Sequence, residues 1–324
     1  MRNPFLTVFL ITLGVYFAPA PAHAAFRTFT DPQGREISAE VMSYDGQTAK
    51  IRRADGQVFT LSRDRFSEAD QAFLDAAKMA LDARALGLPV TLDERIIPGQ
   101  KLLLKFPDLP PMRDGQPAAC EVHIPKNFAY PSPVPLFVWF GGGPGAHEVS
   151  AASGLVNFDD FLVVVLPYPG GRLPRIAVKE GDIDSHWDYQ RPMLEKVIEL
   201  FPNIDRKLRI VGGTSSGAHN IGSGLDLRWK GFYDYFNAFV LHEGGTSPKN
   251  QLTGAKGKLV YVLWGERSTA RAWQEWFNER IGRAGAKLTI DSLPESGHGL
   301  DSSGVAQIRA WIENVATPKL SPKT

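Results

Sequence analysis

Two kinds of hydrophobic pattern divide this sequence. Up to about residue 61, apolar positions alternate with polar ones, at Ile37/Ala39/Val41, Ala49/Ile51 and Phe59/Leu61. Alternation with period two gives a strand one buried face. Asp31-Pro32-Gln33-Gly34, Asp45-Gly46 and Asp55-Gly56 fall at hairpin spacing around these runs, and Asp-Gly supplies the positive φ that tight hairpin turns need. Ser67 and Asp70 then cap a helix whose Phe73, Ala77 and Leu81 share one face. The pattern predicts a small all-β unit of four short strands with a terminal helix over residues 25–75.

Further along the alternation disappears. Continuous apolar runs occur at Ala119–Ile124, Val134–Phe140, Phe161–Leu166, Leu208–Val211, Ala238–Leu241 and Leu259–Leu263. Helical spacing separates the later ones, as in Met193/Val197/Leu200 and Trp273/Phe277/Ile281. Such strands are buried on both faces, so residues 101–316 read as an α/β domain with a mostly parallel sheet between two helix layers. Residues 76–100, with Gly87, Pro89 and Ile97-Pro98-Gly99, read as a helical connector. The last helix puts Ile308, Trp311, Ile312 and Val315 on one face, and the Pro- and Lys-containing residues 317–324 read as a disordered tail.

Composition changes this picture little. A net charge of +1 gives no electrostatic case for nucleic acid as a partner. The first 24 residues read as a secretory signal: Arg2, an apolar stretch from Phe5 to Phe17, and the small-x-small site Ala22-His23-Ala24. That stretch is short of the about 20 residues a span needs, so no membrane span is expected after cleavage. The expected location is exported, periplasmic or extracellular. Cys120 is the single cysteine, which excludes an intramolecular disulfide, and its apolar neighbours make it a core residue. The histidines show no ligand spacing, so no metal and no cofactor are expected.

The chemistry-bearing motif is Leu208-Arg-Ile-Val-Gly-Gly-Thr-Ser-Ser-Gly-Ala218, an apolar strand running into Gly213-x-Ser215-x-Gly217 and then a helix. A serine on so sharp a turn has its hydroxyl lifted from the sheet edge, and bulky neighbours would clash there. Ser215 is the candidate nucleophile. His298, in the Gly297-His298-Gly299 loop after the Lys287–Leu293 strand, is the candidate base. The glycine run Phe140-Gly141-Gly142-Gly143-Pro144-Gly145 follows the first central strand and lets backbone approach a ligand closely. A phosphate loop is disfavoured there, since neither Lys-Ser/Thr nor Gly-x-Gly-x-x-Gly is formed.

In motif and in the chain order of serine and histidine, this part resembles the α/β-hydrolases, esterases and polyester-depolymerase-like proteins among them. The glycine run is similar to the His-Gly-Gly-Gly turn of lipases and esterases and to the Gly-Gly-Pro-Gly turn of prolyl peptidases, with Phe140 in place of the His. The resemblance implies an oxyanion hole from the backbone N–H groups of Gly142, Gly143 and Ser216. It also implies a triad Asp three residues after the Gly that ends the penultimate strand. In Leu263-Trp264-Gly265-Glu266-Arg267-Ser268 that position is Ser268. Glu243, in His242-Glu243-Gly244-Gly245, and Glu266 are the substitutes, with Glu243 preferred. Tyr168 and Trp187, with Pro169 and Arg172, are candidate walls of a substrate pocket.

The amino-terminal unit, through Arg27-Thr-Phe-Thr-Asp-Pro-Gln-Gly-Arg35 and Leu61-Ser-Arg-Asp-Arg-Phe-Ser-Glu-Ala-Asp-Gln-Ala-Phe73, resembles the SLA-one homology domain. The resemblance implies an SH3-like barrel with a peptide or protein ligand. Three functions stay open. The first is an exported serine hydrolase acting on small carboxylic esters, the second a serine peptidase or amidase. The third is a non-catalytic binding protein on the same fold that lacks the triad Asp. Neither acyl and alcohol specificity nor oligomeric state is legible in the sequence.

Overall fold

A computed structural model describes residues 26–85, 87, 93, 95–171 and 180–321. The signal segment, Arg172 and the last three residues lie outside these. Among the described residues, the first unit is a four-stranded antiparallel sheet in the order β1 (Arg27–Thr30), β2 (Glu36–Tyr44), β3 (Thr48–Arg53) and β4 (Val58–Ser62). Its alternating residues Phe29, Ala39, Val41, Ala49 and Ile51 turn to one side. There they meet Phe73, Leu74 and Ala77 of α1 (Glu68–Ala85). Asp70 ties helix to sheet, accepting from Arg27 at 2.9 Å and from the Thr30 N–H at 2.7 Å.

The second sheet has eight described strands: β5 (Lys101–Lys105), β6 (Ala119–His123), β7 (Val134–Phe140), β8 (Leu162–Val165), β9 (Ile204–Thr214), β10 (Ala238–His242), β11 (Leu259–Gly265) and β12 (Lys287–Leu293). Their spatial order is β5-β6-β8-β7-β9-β10-β11-β12, with β6 antiparallel to both neighbours and the other pairings parallel. This strand order and polarity are those of the α/β-hydrolase fold.

The unbroken apolar runs arise because both faces are covered. On β7, Leu136, Val138 and Phe140 join one cluster, while Phe137 and Trp139 join the other. The first cluster takes in α2 (Glu180–Leu200), α3 (Ser216–Asp226) and α4 (Arg271–Arg283) through Met193, Ile221 and Phe277. The opposite face is covered by α5 (Ser302–Trp311) and by residues 149–156. Cys120 is fully buried in the first cluster, where burial pushes its thiol up to about 12.

The chain divisions expected from the sequence fall on helices. A boundary at residue 75 falls inside α1, because nothing between Ser67 and Gly87 breaks that helix. The front of α1 packs on the small sheet, and its later Ala80 and Ala83 pack in the large domain's core. The tail expected from 317 on is helical through Leu320. A π-helical turn, Ile312–Ala316, runs into α6 (Thr317–Leu320). Pro318 falls just after that π-helical turn.

Candidate active site

The turn from β9 to α3 is as tight as its small residues require. Ser215 has φ 52° and ψ −112°, a strained backbone for a residue with a Cβ. Its N–H donates to His242 O at 2.8 Å, and its carbonyl accepts from the His219 N–H at 3.0 Å, so strain is held from both sides. Gly217 presses against the Phe140 carbonyl so closely that any Cβ would overlap it. The glycine-serine-glycine pattern therefore reflects the start of α3 lying directly on the end of β7.

His298 reaches this serine from the loop after β12, its Nε2 3.0 Å from Ser215 Oγ. The loop is seated on the turn after β11, where Ser296 O accepts from the Arg267 N–H at 3.0 Å. It is pinned again at the head of α5, where the Ser296 hydroxyl donates to Asp301 at 2.6 Å. The other ring nitrogen, Nδ1, lies 3.1 Å from Glu243 Oε2.

Glu243 is 1% exposed and follows β10 with φ 55°, a left-handed conformation that turns its side chain across the end of β11. There Oε1 accepts from the Gly265 N–H at 2.5 Å and Oε2 accepts from the Ser268 hydroxyl, also at 2.5 Å. Glu266 does not join this chain; its carboxylate accepts from Ser292 at 2.7 Å. Of the two carboxylates proposed from the sequence, the structure brings Glu243 to His298 and turns Glu266, in the turn after β11, toward Ser292 of β12.

The glycine run lies against the same serine. A Cβ on Gly142 would sit 3.2 Å from Thr214 Cγ2 and 3.5 Å from Ser215 Cβ, so its backbone lies beside the turn that carries Ser215. Ser216 opens α3, and an N–H in the first helical turn has no intrahelical acceptor. Gly143 takes φ 54° at the tip of the turn that Gly145 N–H closes onto Gly142 O at 3.0 Å.

Tyr168 and Trp187, the expected pocket walls, are both buried and hydrogen-bonded to backbone carbonyls. Tyr168 is 1% exposed, donates to Gly141 O at 3.0 Å and packs flat beneath Gly145, so it backs the glycine loop from inside. Trp187 is 5% exposed, stacks on Trp229 and donates to Lys230 O at 3.0 Å.

Two further histidines, weaker candidates for the base in the sequence because one falls on the helix after Ser215 and the other ends a strand, flank the site. His219, one turn into α3, accepts at Nδ1 from Thr246 Oγ1 at 2.8 Å and from the Gly245 N–H at 3.2 Å. Accepting there fixes its proton on Nε2. His242 pairs its Nδ1 with Thr214 Oγ1 at 2.8 Å. Burial pushes each of them down to about 4, and the nearby His298 adds to the effect. Both are therefore neutral at physiological pH. Among the described residues, no group of His, Cys, Asp and Glu could hold a metal ion.

No protein-family model matches this chain, and no curated protein matches it. Solved structures do. The chain is similar to a carboxylesterase of Bacillus cereus at 17% identity, over 66% of this chain and 93% of that one, with a TM-score of 0.45. It is similar to the thermophilic esterase Est2 of the planctomycete Thermogutta terrifontis at 16% identity, over 70% and 95%, with a TM-score of 0.48. It is also similar to an esterase of Pyrobaculum calidifontis at 15% identity, over 77% and 92%, with a TM-score of 0.46.

Proposed function

We propose that this chain is a serine hydrolase acting on small carboxylic esters, with Ser215 as nucleophile, His298 as base and Glu243 as the acid that orients it. The observation that carries the reading is the unbroken chain from Ser215 Oγ through both nitrogens of His298 to a buried carboxylate. A hydroxyl is a weak nucleophile until a base stands ready to take its proton.

In the first half-reaction, Ser215 Oγ attacks the ester carbonyl carbon while its proton passes to His298 Nε2. Negative charge builds on the carbonyl oxygen, for which the N–H groups of Gly142, Gly143 and Ser216 are the donors. Glu243 stabilises the imidazolium through Nδ1. The alcohol leaves with the proton from Nε2, and an acyl group remains on Ser215. Water then attacks the acyl carbon, giving its proton to His298, which returns it to Ser215 as the carboxylic acid departs.

A Glu243 within hydrogen-bond reach of His298 speaks against the non-catalytic reading, which drew on the missing Asp. The test is labelling with a fluorophosphonate probe, with the adduct located by mass spectrometry. The expected site is Ser215 and not Ser216, and Ser215→Ala should abolish hydrolysis of p-nitrophenyl acetate. An adduct elsewhere, or none, removes Ser215 from the mechanism. A paired panel of esters and amides separates an esterase from an amidase.

The same reading places the protein outside the cytoplasm, on the strength of the Arg2 to Ala24 segment. Amino-terminal sequencing of material recovered after export should begin at Ala25. It also takes the amino-terminal unit, with its four-stranded sheet, as an SLA-one-like barrel with a peptide or protein ligand.

A further inference from the structure

Glu243 presents two oxygens to a buried site and both are occupied from the turn after β11. The Gly265 N–H serves Oε1, and the Ser268 hydroxyl shares Oε2 with His298. The direction of the Ser268 proton follows from its neighbours. Its Oγ accepts from the Ala270 N–H at 3.1 Å, and a backbone N–H can only donate. An ionised carboxylate can only accept, so the one hydroxyl hydrogen goes to Glu243. Ser268 Oγ also lies 3.5 Å from His298 Nδ1, so hydroxyl, carboxylate and imidazole meet at one point. Ser268 is 7% exposed, so water does not readily take its place.

We propose that Ser268 is a positioning residue for hydrolysis: by donating its hydrogen to Glu243 Oε2 it holds that carboxylate against His298 Nδ1. The proposal rests on the functional reading above. A glutamate has one more rotatable bond than an aspartate, and Glu243 approaches His298 from the neighbouring strand, across the end of β11. Without the Ser268 hydroxyl, the carboxylate is held from the turn after β11 only at Oε1, by the Gly265 N–H, and can pivot about that bond away from Nδ1. A hydrogen bond to a charged group contributes about 1.5–3 kcal/mol, so its loss in the transition state corresponds to a kcat lower by about 10- to 100-fold. The bound ester touches neither group, so KM should not follow.

The test compares the full chain with Ser268→Ala and Ser268→Thr, reading kcat and KM on p-nitrophenyl acetate, the rate of fluorophosphonate labelling of Ser215, and the melting temperature. The expected result is a 10- to 100-fold fall in kcat and in labelling rate for Ser268→Ala with KM held, and a return of at least half of that loss, on a logarithmic scale, in Ser268→Thr. Unchanged kcat in Ser268→Ala overturns the proposal. So does a fall of equal size in both variants, which would mean that the space matters and the hydroxyl does not. A wild-type chain that the probe leaves unlabelled overturns the functional reading itself. A labelled wild type with an equally fast Ser268→Ala overturns only the role of Ser268.

Discussion

Glu243 Oε2 lies 2.5 Å from the hydroxyl of Ser268 and 3.1 Å from His298 Nδ1, so the residue standing where an aspartate was expected touches the carboxylate that serves in its stead. In the proposed triad the acid comes from the end of β10 and not from the end of β11, and it meets His298 at Nδ1. Glu243→Gln should lower kcat by about 10⁴-fold with KM for a small ester little changed. An orienting carboxylate stabilises the imidazolium formed on the way to the transition state, and amide-for-acid replacement in such triads costs about that much. Glu266→Gln should be nearly silent, since its partner is Ser292. Steady-state kinetics on both variants checks this. A silent Glu243→Gln removes the acid from the mechanism.

The two positions should be exchangeable. Ser268 Oγ stands 3.5 Å from Nδ1, and an aspartate extends one bond further toward it. In a Glu243→Gln background, Ser268→Asp should recover kcat at least about 10-fold, because the Gln amide can donate to the new carboxylate. Ser268→Asp alone should lower kcat and melting temperature together, since two buried like charges in contact cannot both ionise cheaply. A double variant no better than Glu243→Gln would show that the turn after β11 does not aim a carboxylate at His298.

Much of this arrangement is legible in the sequence. The unbroken apolar runs announced strands covered on both faces, and the structure sets the turn at Ser215 beside the Gly-flanked His298 and the run from Gly141 to Gly145. The choice between Glu243 and Glu266 was harder. Both follow the carboxyl ends of adjacent parallel strands, and it is decided by the positive φ of Glu243, which a non-glycine residue does not advertise. Tyr168 and Trp187 show the same limit for aromatics. A ring that supports a loop from inside and a ring that lines a pocket read alike in sequence. At α1, the lack of a breaker near residue 75 meant that one helix could serve two cores, a fact that spacing alone does not reveal.

Four successive backbone N–H groups of the loop that carries the chain away from Glu243 share one carboxylate. Asp226, 6% exposed at the end of α3, accepts from the N–H groups of Lys249, Asn250, Gln251 and Leu252 at 2.7, 2.9, 2.7 and 3.0 Å. Asn250 and Leu252 both take positive φ, so this loop is strained and needs the anchor. Asp226→Ala should lower unfolding free energy by about 3 kcal/mol or more, because buried donors lose a charged acceptor. Asp226→Asn should also destabilise, since its NH₂ cannot accept. Urea denaturation measures both, and a loss below about 0.5 kcal/mol in Asp226→Ala would show that water replaces the carboxylate.

Acid should destabilise the fold through His219 and His242. In the folded chain both sit near 4, first because burial disfavours the charged ring and then because His298 is close. Unfolded, each returns to the ordinary histidine value of about 6.5. Their pKa is lower in the folded state, so above 6.5 their contribution to stability is complete. As pH falls from 6.5 toward 4, the unfolded chain takes up protons that the folded chain refuses, and stability drops. With two such groups the slope near pH 5 should be about 2 kcal/mol per pH unit, and the loss by pH 4 about 3 kcal/mol for each. Urea denaturation at half-unit steps from pH 7.5 to 4 would show it. His242→Gln should flatten the slope by about half, its side chain keeping an acceptor for Thr214 without a proton to bind. Stability that stays level between pH 6.5 and 5 would mean that both rings take up protons inside the fold as readily as in the unfolded chain.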